Sequence, residues 1–305
     1  MGKQSIVSAR AGFCRLTDYW MTLPANLRGI LWLSAGALLF AVVDVFVKTL
    51  GRTFSPFELA LFRYGIGMIL LTPVFARMGR DGLVTRVIGL HLLRMFLAFG
   101  AQLGVFVSVI YLPLADATAF MFSKPMFTTV IAVFALSEAV NGRRWAATIA
   151  GFVGVLIMIR PGSDSMDPVA LVAVGSALAF AWANVLIRML AVTEPPNRIL
   201  FYYHIGGILV FAGPAIWMWR TPVGFEWLSM VAIGVLTTVG MVCYVRAFSV
   251  GEANAVGPSE YLRLIYAALF GYFLFSEVPS IWTGIGAAVI VASTYYIART
   301  EARRR

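Results

Sequence analysis

Lys124 lies about nine residues into the apolar stretch 115–136, roughly 14 Å at 1.5 Å per residue, and so near the middle of a ~30 Å hydrocarbon core. Arg263 lies equally deep in 254–275, and the two cations are 139 residues apart. An ionisable group at that depth is costly, so it needs a cavity, a counter-ion or a ligand. Two such cations facing one level could hold the anionic group of a small solute. Glu260 precedes Arg263 by three residues and can share its helix face. There it could neutralise the arginine, bind a substrate ammonium or carry a proton. Asp44 and Lys48 stand four residues apart in an earlier stretch, with Asp44 nearer its middle and a better candidate for a cavity. Arg63 could receive a solute or brace Asp44. Among the aromatic residues, Trp182, Tyr202, Tyr203, His204, Tyr244 and Tyr261 could form a stacking wall, although most aromatics in such a chain fill helix contacts or interfacial belts. The expected substrate-binding set is Lys124, Arg263, Glu260, Asp44, Arg63, Tyr202, Trp182 and Asn184.

The elements that would position these residues are membrane helices. The chain has 305 residues, 60% of them hydrophobic and only 12% charged, with a mean hydropathy of +0.86. A soluble domain of this size is nearer half apolar and a quarter charged. The apolar residues fall in ten blocks, near 28–49, 57–77, 89–111, 115–136, 143–161, 167–189, 198–219, 226–247, 254–275 and 278–298. Backbone in lipid must bond internally, so these blocks read as helices. The expected fold is an all-α integral membrane protein of ten transmembrane helices. Basic residues collect in the even loops and at both ends: Arg77, Arg80, Arg143, Arg144, Arg198, Arg303, Arg304 and Arg305. That asymmetry predicts cytoplasmic termini, in the inner membrane of the cell, and accounts for the net charge of +10 without nucleic acid. Residues 1–27 read as a basic cytoplasmic tail, not a signal peptide, and 299–305 as a second tail. Cys14 and Cys243 are not expected to pair, and no metal-binding, phosphate-binding or nucleophile motif occurs in a suitable context. No cofactor, no metal and no enzymatic activity are expected.

The blocks repeat. GALLFAVVDVFVKTL at 36–50 is answered by SALAFAWANVLIRML at 176–190, so Phe40 stands opposite Phe180, Asp44 opposite Asn184 and Lys48 opposite Arg188. Asn184 keeps the hydrogen-bonding capacity of Asp44 without its charge. Lys48 and Arg188 fall near helix ends, where each could snorkel to headgroups or serve the site. Leu61-Phe62-Arg63-Tyr64 is answered by Leu200-Phe201-Tyr202-Tyr203, and Ser137-Glu138 by Ser276-Glu277. Glu138 and Glu277 read as loop-facing or helix-capping. Gly65, Gly67, Gly206 and Gly207 read as points of close helix approach. With five blocks in each half (28–161 and 162–298), the copies must insert with opposite orientation. Inverted repeats are the mark of alternating access, with the solute bound between the halves.

One stretch is more specific. Tyr111-Leu112-Pro113-Leu114-Ala115-Asp116-Ala117-Thr118-Ala119 runs through Phe122-Ser123-Lys124-Pro125-Met126-Phe127 to Ser137-Glu138, Arg143-Arg144-Trp145 and Gly151–Ile157. It resembles the fourth and fifth spans of the EamA branch of the drug/metabolite transporter superfamily, with Ser137 in place of the usual glycine and Met126 in place of the usual leucine. The resemblance implies a carrier of small organic metabolites, amino acids or drugs. Such families include amino-acid exporters and S-adenosylmethionine importers, so direction does not follow from it. An anionic or zwitterionic, amino-acid-like solute is the first class expected, with membrane lipids as the other partner and proton coupling open. A broad drug exporter with an aromatic cavity is the alternative. A membrane-embedded enzyme on lipid-linked substrates fits less well, because the chain has only two histidines.

Overall fold

The computed structural model describes residues 22–136, 142–162 and 167–302, and every regular element in them is helical. In chain order these are α1 (Ala25–Leu50), α2 (Pro56–Ala76), α3 (Ile88–Tyr111), α4 (Leu114–Met121), α5 (Lys124–Leu136), α6 (Gly142–Ile159), α7 (Pro168–Leu190), α8 (Pro196–Trp217), α9 (Phe225–Val250), α10 (Leu262–Phe275) and α11 (Ile281–Ala302). A short helix, Gly79–Leu83, precedes α3, and a single turn (Ala253–Val256) with a 3-10 turn (Gly257–Tyr261) precedes α10. Helix starts follow local chemistry. Ser55 and Glu58 form a capping box before Pro56, and Asp167 accepts the Val169 N–H before Pro168.

Seven helical stretches among the described residues are long and apolar enough to cross a membrane, against the ten expected. The apolar parts of α6 and α11, Trp145–Ile159 and Ile281–Ile297, are shorter. The ninth block is not one helix, because Pro258 sits in the 3-10 turn and leaves α10 only 14 residues. The fourth block is also interrupted, at Phe122-Ser123. Pro125 has no N–H to bond one turn back, and the Ser123 hydroxyl donates to the Phe120 carbonyl at 2.6 Å.

α1 lies along α9 and α3 along α7; α2 packs on α8 and α9, α10 on α1, α5 on α7, and α6 on α11. Two of these crossings are tight. A Cβ on Gly36 would come within 2.7 Å of the Tyr244 ring, and one on Gly104 within 2.0 Å of the Ser176 hydroxyl. A Cβ on Gly207 would come within 2.5 Å of the Tyr64 ring and one on Gly206 within 2.1 Å of the Met95 sulfur, whereas one on Gly65 would meet nothing within 4 Å. The outer surface carries large apolar side chains, among them Trp217, Phe96, Phe134 and Phe273. Such a coat suits lipid, and the chain is a multi-pass membrane protein.

Polar clusters tie each end of the bundle. At one end Lys48 does not snorkel. It is 3% exposed, donates to the Leu112 carbonyl at 2.5 Å and forms an ion pair with Glu277. The other Glu277 oxygen accepts the Leu114 N–H at 2.9 Å. Glu277 therefore does cap a helix, α4, but it also carries the counter-charge for α1. Glu58 at the same end accepts the Arg220 backbone N–H at 2.7 Å. Glu138, expected to play the matching part, lies outside the described residues. At the opposite end Glu194, in the turn between α7 and α8, accepts from Thr85 at 2.7 Å and from Arg198 at 2.9 Å. Burial pushes its pKa up, and these hydrogen bonds and the Arg198 charge outweigh that, holding the carboxyl below its ordinary range.

Candidate functional site: a central polar cavity

A cavity of about 310 Å³ opens in the middle of the bundle, lined from both halves of the chain. α1 presents Phe40 and Asp44, one helical turn apart on one face, and α7 presents Phe180 and Asn184 with the same spacing. Lys124 is the first residue of α5 and Arg263 the second of α10, each just past its helix break. All four members of the repeat pairs Asp44/Asn184 and Lys124/Arg263 line this one space, and Glu260 joins them from the 3-10 turn. Arg63 of α2 faces the same space.

The pairing inside the cavity is not the local one expected. Arg263 donates to Asp44 across helices at 2.8 Å, so neither Glu260–Arg263 nor Asp44–Lys48 is the pair that forms. The helix ends explain it: Arg263 projects from the first turn of α10 toward α1, while Lys48, one turn beyond Asp44, is drawn away by Glu277. Lys124 makes no ion pair or hydrogen bond among the described residues, and its ammonium lies 5.9 Å from the centre of the Phe180 ring. It is a half-buried cation opening onto the cavity.

Two expected residues are elsewhere. The Tyr202 hydroxyl donates to the Leu83 carbonyl at 3.0 Å, and its ring packs on His91 with centres 4.6 Å apart. Trp182 is 37% exposed and does not belong to the lining. Of the wider aromatic group, Tyr203 and Tyr244 do line the cavity, whereas Tyr261 packs against Phe122. His204 bonds the Leu200 carbonyl at 3.0 Å, a packing role.

The sequence reading passed over α3. Arg94, Ala98 and Gln102 recur every fourth residue and form a stripe along the cavity wall. A stripe with a charge and an amide in an apolar helix was a readable signal. Arg94 and Gln102 have no polar mates in the second half, where positions 233 and 234 are Ile and Gly and 241 and 242 are Met and Val, although Thr237 joins the lining there.

Each half of the chain matches the EamA-like transporter family on its own, over residues 27–160 and 168–299. The S-adenosylmethionine uptake transporter of Rickettsia prowazekii (strain Madrid E) is 31% identical over 279 residues, 92% of this chain and 95% of its own length. The riboflavin transporter of Vibrio cholerae serotype O1 is 30% identical over 288 residues, covering 91% and 95%. The pseudopaline exporter CntI of Pseudomonas aeruginosa (strain UCBPP-PA14) is 29% identical over 286 residues, covering 92% and 99%. A solved crystal structure with 21% identity superposes with a TM-score of 0.63 over 90% of this chain and 98% of its own, a likeness of fold.

Proposed function

This chain belongs to the EamA-like transporter family, and we propose that it moves an anionic or zwitterionic small metabolite across the inner membrane by alternating access, binding it in the central cavity. That it is a transporter of small metabolites follows from the family and its relatives. The single observation carrying the finer reading is the charge of the cavity: Arg63, Arg94, Lys124 and Arg263 against only Asp44 and Glu260, in a lining drawn from both halves. An anionic solute would offset that excess. The site in this reading comprises Lys124, Arg263, Glu260, Asp44, Asn184 and Arg63. Trp182 and Tyr202 stand outside the lining, Trp182 exposed and Tyr202 bonded to the Leu83 carbonyl.

An arrangement of ten spans as inverted repeats is supported by the packing. Gly36 abuts Tyr244, and the residues 140 further on and 140 back, Ser176 and Gly104, abut each other. Tyr64 and its counterpart Tyr203 meet hydroxyl to hydroxyl at 2.8 Å, as mates lying on a two-fold axis would. Helices broken at mid-depth are a further mark of such carriers, because the exposed N-terminal turn adds positive potential for an anionic group. Lys124 and Arg263 both occupy such turns. Cytoplasmic termini accord with the basic loops.

Amino-acid-like solutes are the first to test on charge alone. S-adenosylmethionine, for which one relative is named, itself ends in a carboxylate and an ammonium. A broad-specificity exporter is the second reading, favoured by the Asp44–Arg263 pair, which neutralises one cation internally, and by the rings of Phe40, Phe180, Tyr203 and Tyr244. Counterflow in proteoliposomes separates the two, with labelled S-adenosylmethionine, riboflavin, amino acids and ethidium as cargoes. Uptake of an anion-bearing cargo in preference to ethidium supports the proposal. Uptake of ethidium alone supports the exporter.

A further inference from the structure

The cavity holds four cations against two carboxylates, and the excess is gathered on one wall. Arg263 is paired with Asp44, and Lys124 shares its side of the cavity with Glu260. Arg63 and Arg94 form no ion pair among the described residues. One Arg94 nitrogen donates to the Ile199 carbonyl at 3.4 Å, while its buried Nε has no hydrogen-bond partner. Instead the two guanidinium groups rest on rings: Arg94 lies 4.9 Å from the centre of Tyr203, and Arg63 lies 5.5 Å from that of Tyr64. Those rings are a locked pair, with centres 5.1 Å apart and hydroxyls bonded at 2.8 Å, backed by Phe99 and Phe211. Cation–π contact offsets part of the cost of burying a guanidinium but supplies no counter-charge.

This wall also breaks the repeat. Phe40 and Phe180 recur, as do the polar positions Asp44 and Asn184, which is expected of parts that build the cavity. Arg63 is answered by Tyr202 and Arg94 by an apolar residue. A dicationic wall present in one half only is explained by what is bound, not by the scaffold. A guanidinium resting against a ring keeps its fork of donors available for a carboxylate or phosphate.

From these contacts we infer that Arg63 and Arg94, carried on the Tyr64–Tyr203 pair, are the anion subsite of the cavity and take a carboxylate or phosphate of the solute. Asp44, Arg263, Glu260 and Lys124 then form a charge-balanced wall for the remainder of the solute. The inference rests on the cavity being the transport site. It moves the principal anion contact from Lys124 and Arg263 to the opposite wall.

The test uses the purified full chain in detergent at constant ionic strength, with benzoate, phenyl phosphate and uncharged benzamide as probes of one ring size. Benzoate or phenyl phosphate should raise the melting temperature in a saturable way and benzamide should not; the stronger of the two anions identifies the group preferred. Arg94→Gln and Arg63→Gln should each weaken the apparent affinity about tenfold or more, the loss expected for one charge-assisted hydrogen bond. Lys124→Gln should weaken the response less than either arginine variant. Arg63 is half-buried, so its variant serves if Arg94→Gln fails to fold. No anion response in the unsubstituted protein overturns the inference. So does a response abolished by Lys124→Gln yet intact in Arg63→Gln. Counterflow, measured separately, tests the transport reading: its absence alongside an arginine-dependent benzoate response would remove that reading and leave the subsite standing.

Discussion

Replacing Lys48 by Met should be among the most destabilising single changes in this chain, and adding Glu277→Gln should rescue it. The Lys48 side chain is 4% exposed and that of Glu277 18%, so the pair is shielded from water. Lys48→Met removes the ion pair, strips the Leu112 carbonyl of its donor and leaves the Glu277 carboxylate with only the Leu114 N–H. An uncompensated charge of this kind costs about 3–5 kcal/mol. Glu277→Gln keeps an acceptor for Leu114 but leaves the ammonium without a counter-ion, for about 3 kcal/mol. In the double variant no charge is stranded, and the remaining loss is the Leu112 hydrogen bond, about 1 kcal/mol. The double variant should thus recover at least ~2 kcal/mol relative to Lys48→Met, whereas additive effects would make it the least stable of the three. Unfolding by SDS in mixed micelles, followed by tryptophan fluorescence, measures all four proteins. Additive single effects, or a Lys48→Met variant within about 1 kcal/mol of the parent, would refute the argument that the pair is buried and mutually dependent.

Gly207→Ala should destabilise by about 1–3 kcal/mol in the same titration, since the new methyl meets the Tyr64 ring at 2.5 Å, whereas Gly65→Ala, which faces open space, should stay within about 1 kcal/mol of the parent. Phe180→Ala should raise the KM of the transported cargo about tenfold, the worth of one aromatic contact, while Trp182→Ala, two residues on and outside the cavity, should leave KM unchanged in proteoliposome uptake. Glu194→Gln should lower the melting temperature at pH 7. Because the native carboxyl is held below its ordinary pKa, its contribution is full above the unfolded value of about 4.3 and fades as pH falls through the native one, so parent and variant should converge in acid.

Much of the scaffold was legible because it is written twice. Apolar length marked the helices, and the steady spacing between Asp44 and Asn184, or Lys124 and Arg263, brought out residues that the structure gathers around one cavity. The family resemblance read from Pro113–Ala119 and Arg143–Trp145 agrees with the family match over both halves. Helix breaks were harder to read. Apolar composition continues through Phe122-Ser123 and Gly257–Tyr261, and only Pro125 and Pro258 hint that the backbone changes course there. Ion pairs were misread for a related reason. Spacings of three and four residues suggest partners on one helix, but in a bundle a partner from elsewhere in the chain can approach as closely: Asp44 found Arg263 on α10, and Lys48 found Glu277 just past its end.

The least legible part of the site is also its most informative. Reading by repeats favours residues that have a mate, and Trp182 and Tyr202 were expected as part of a stacking wall because they lie in spans beside the cavity. Repetition reports what both halves need in order to pack, and Tyr202 illustrates this by anchoring the Leu83 carbonyl away from the cavity. A solute lacks two-fold symmetry, so a site that binds it tightly in one orientation must depart from symmetry somewhere. Arg63 and Arg94 are that departure: charged on one side, Tyr202 and apolar residues on the other. In a chain built from two copies of one unit, the unmatched polar residues inside the bundle are therefore the ones to examine for specificity, and the matched ones for mechanics. Exchanging Arg63 with its counterpart, as Arg63→Tyr with Tyr202→Arg, separates the two roles. Because position 202 lies outside the cavity lining, the exchange should weaken the benzoate response about tenfold or more, as Arg63→Gln does, and an undiminished response would remove Arg63 from the subsite.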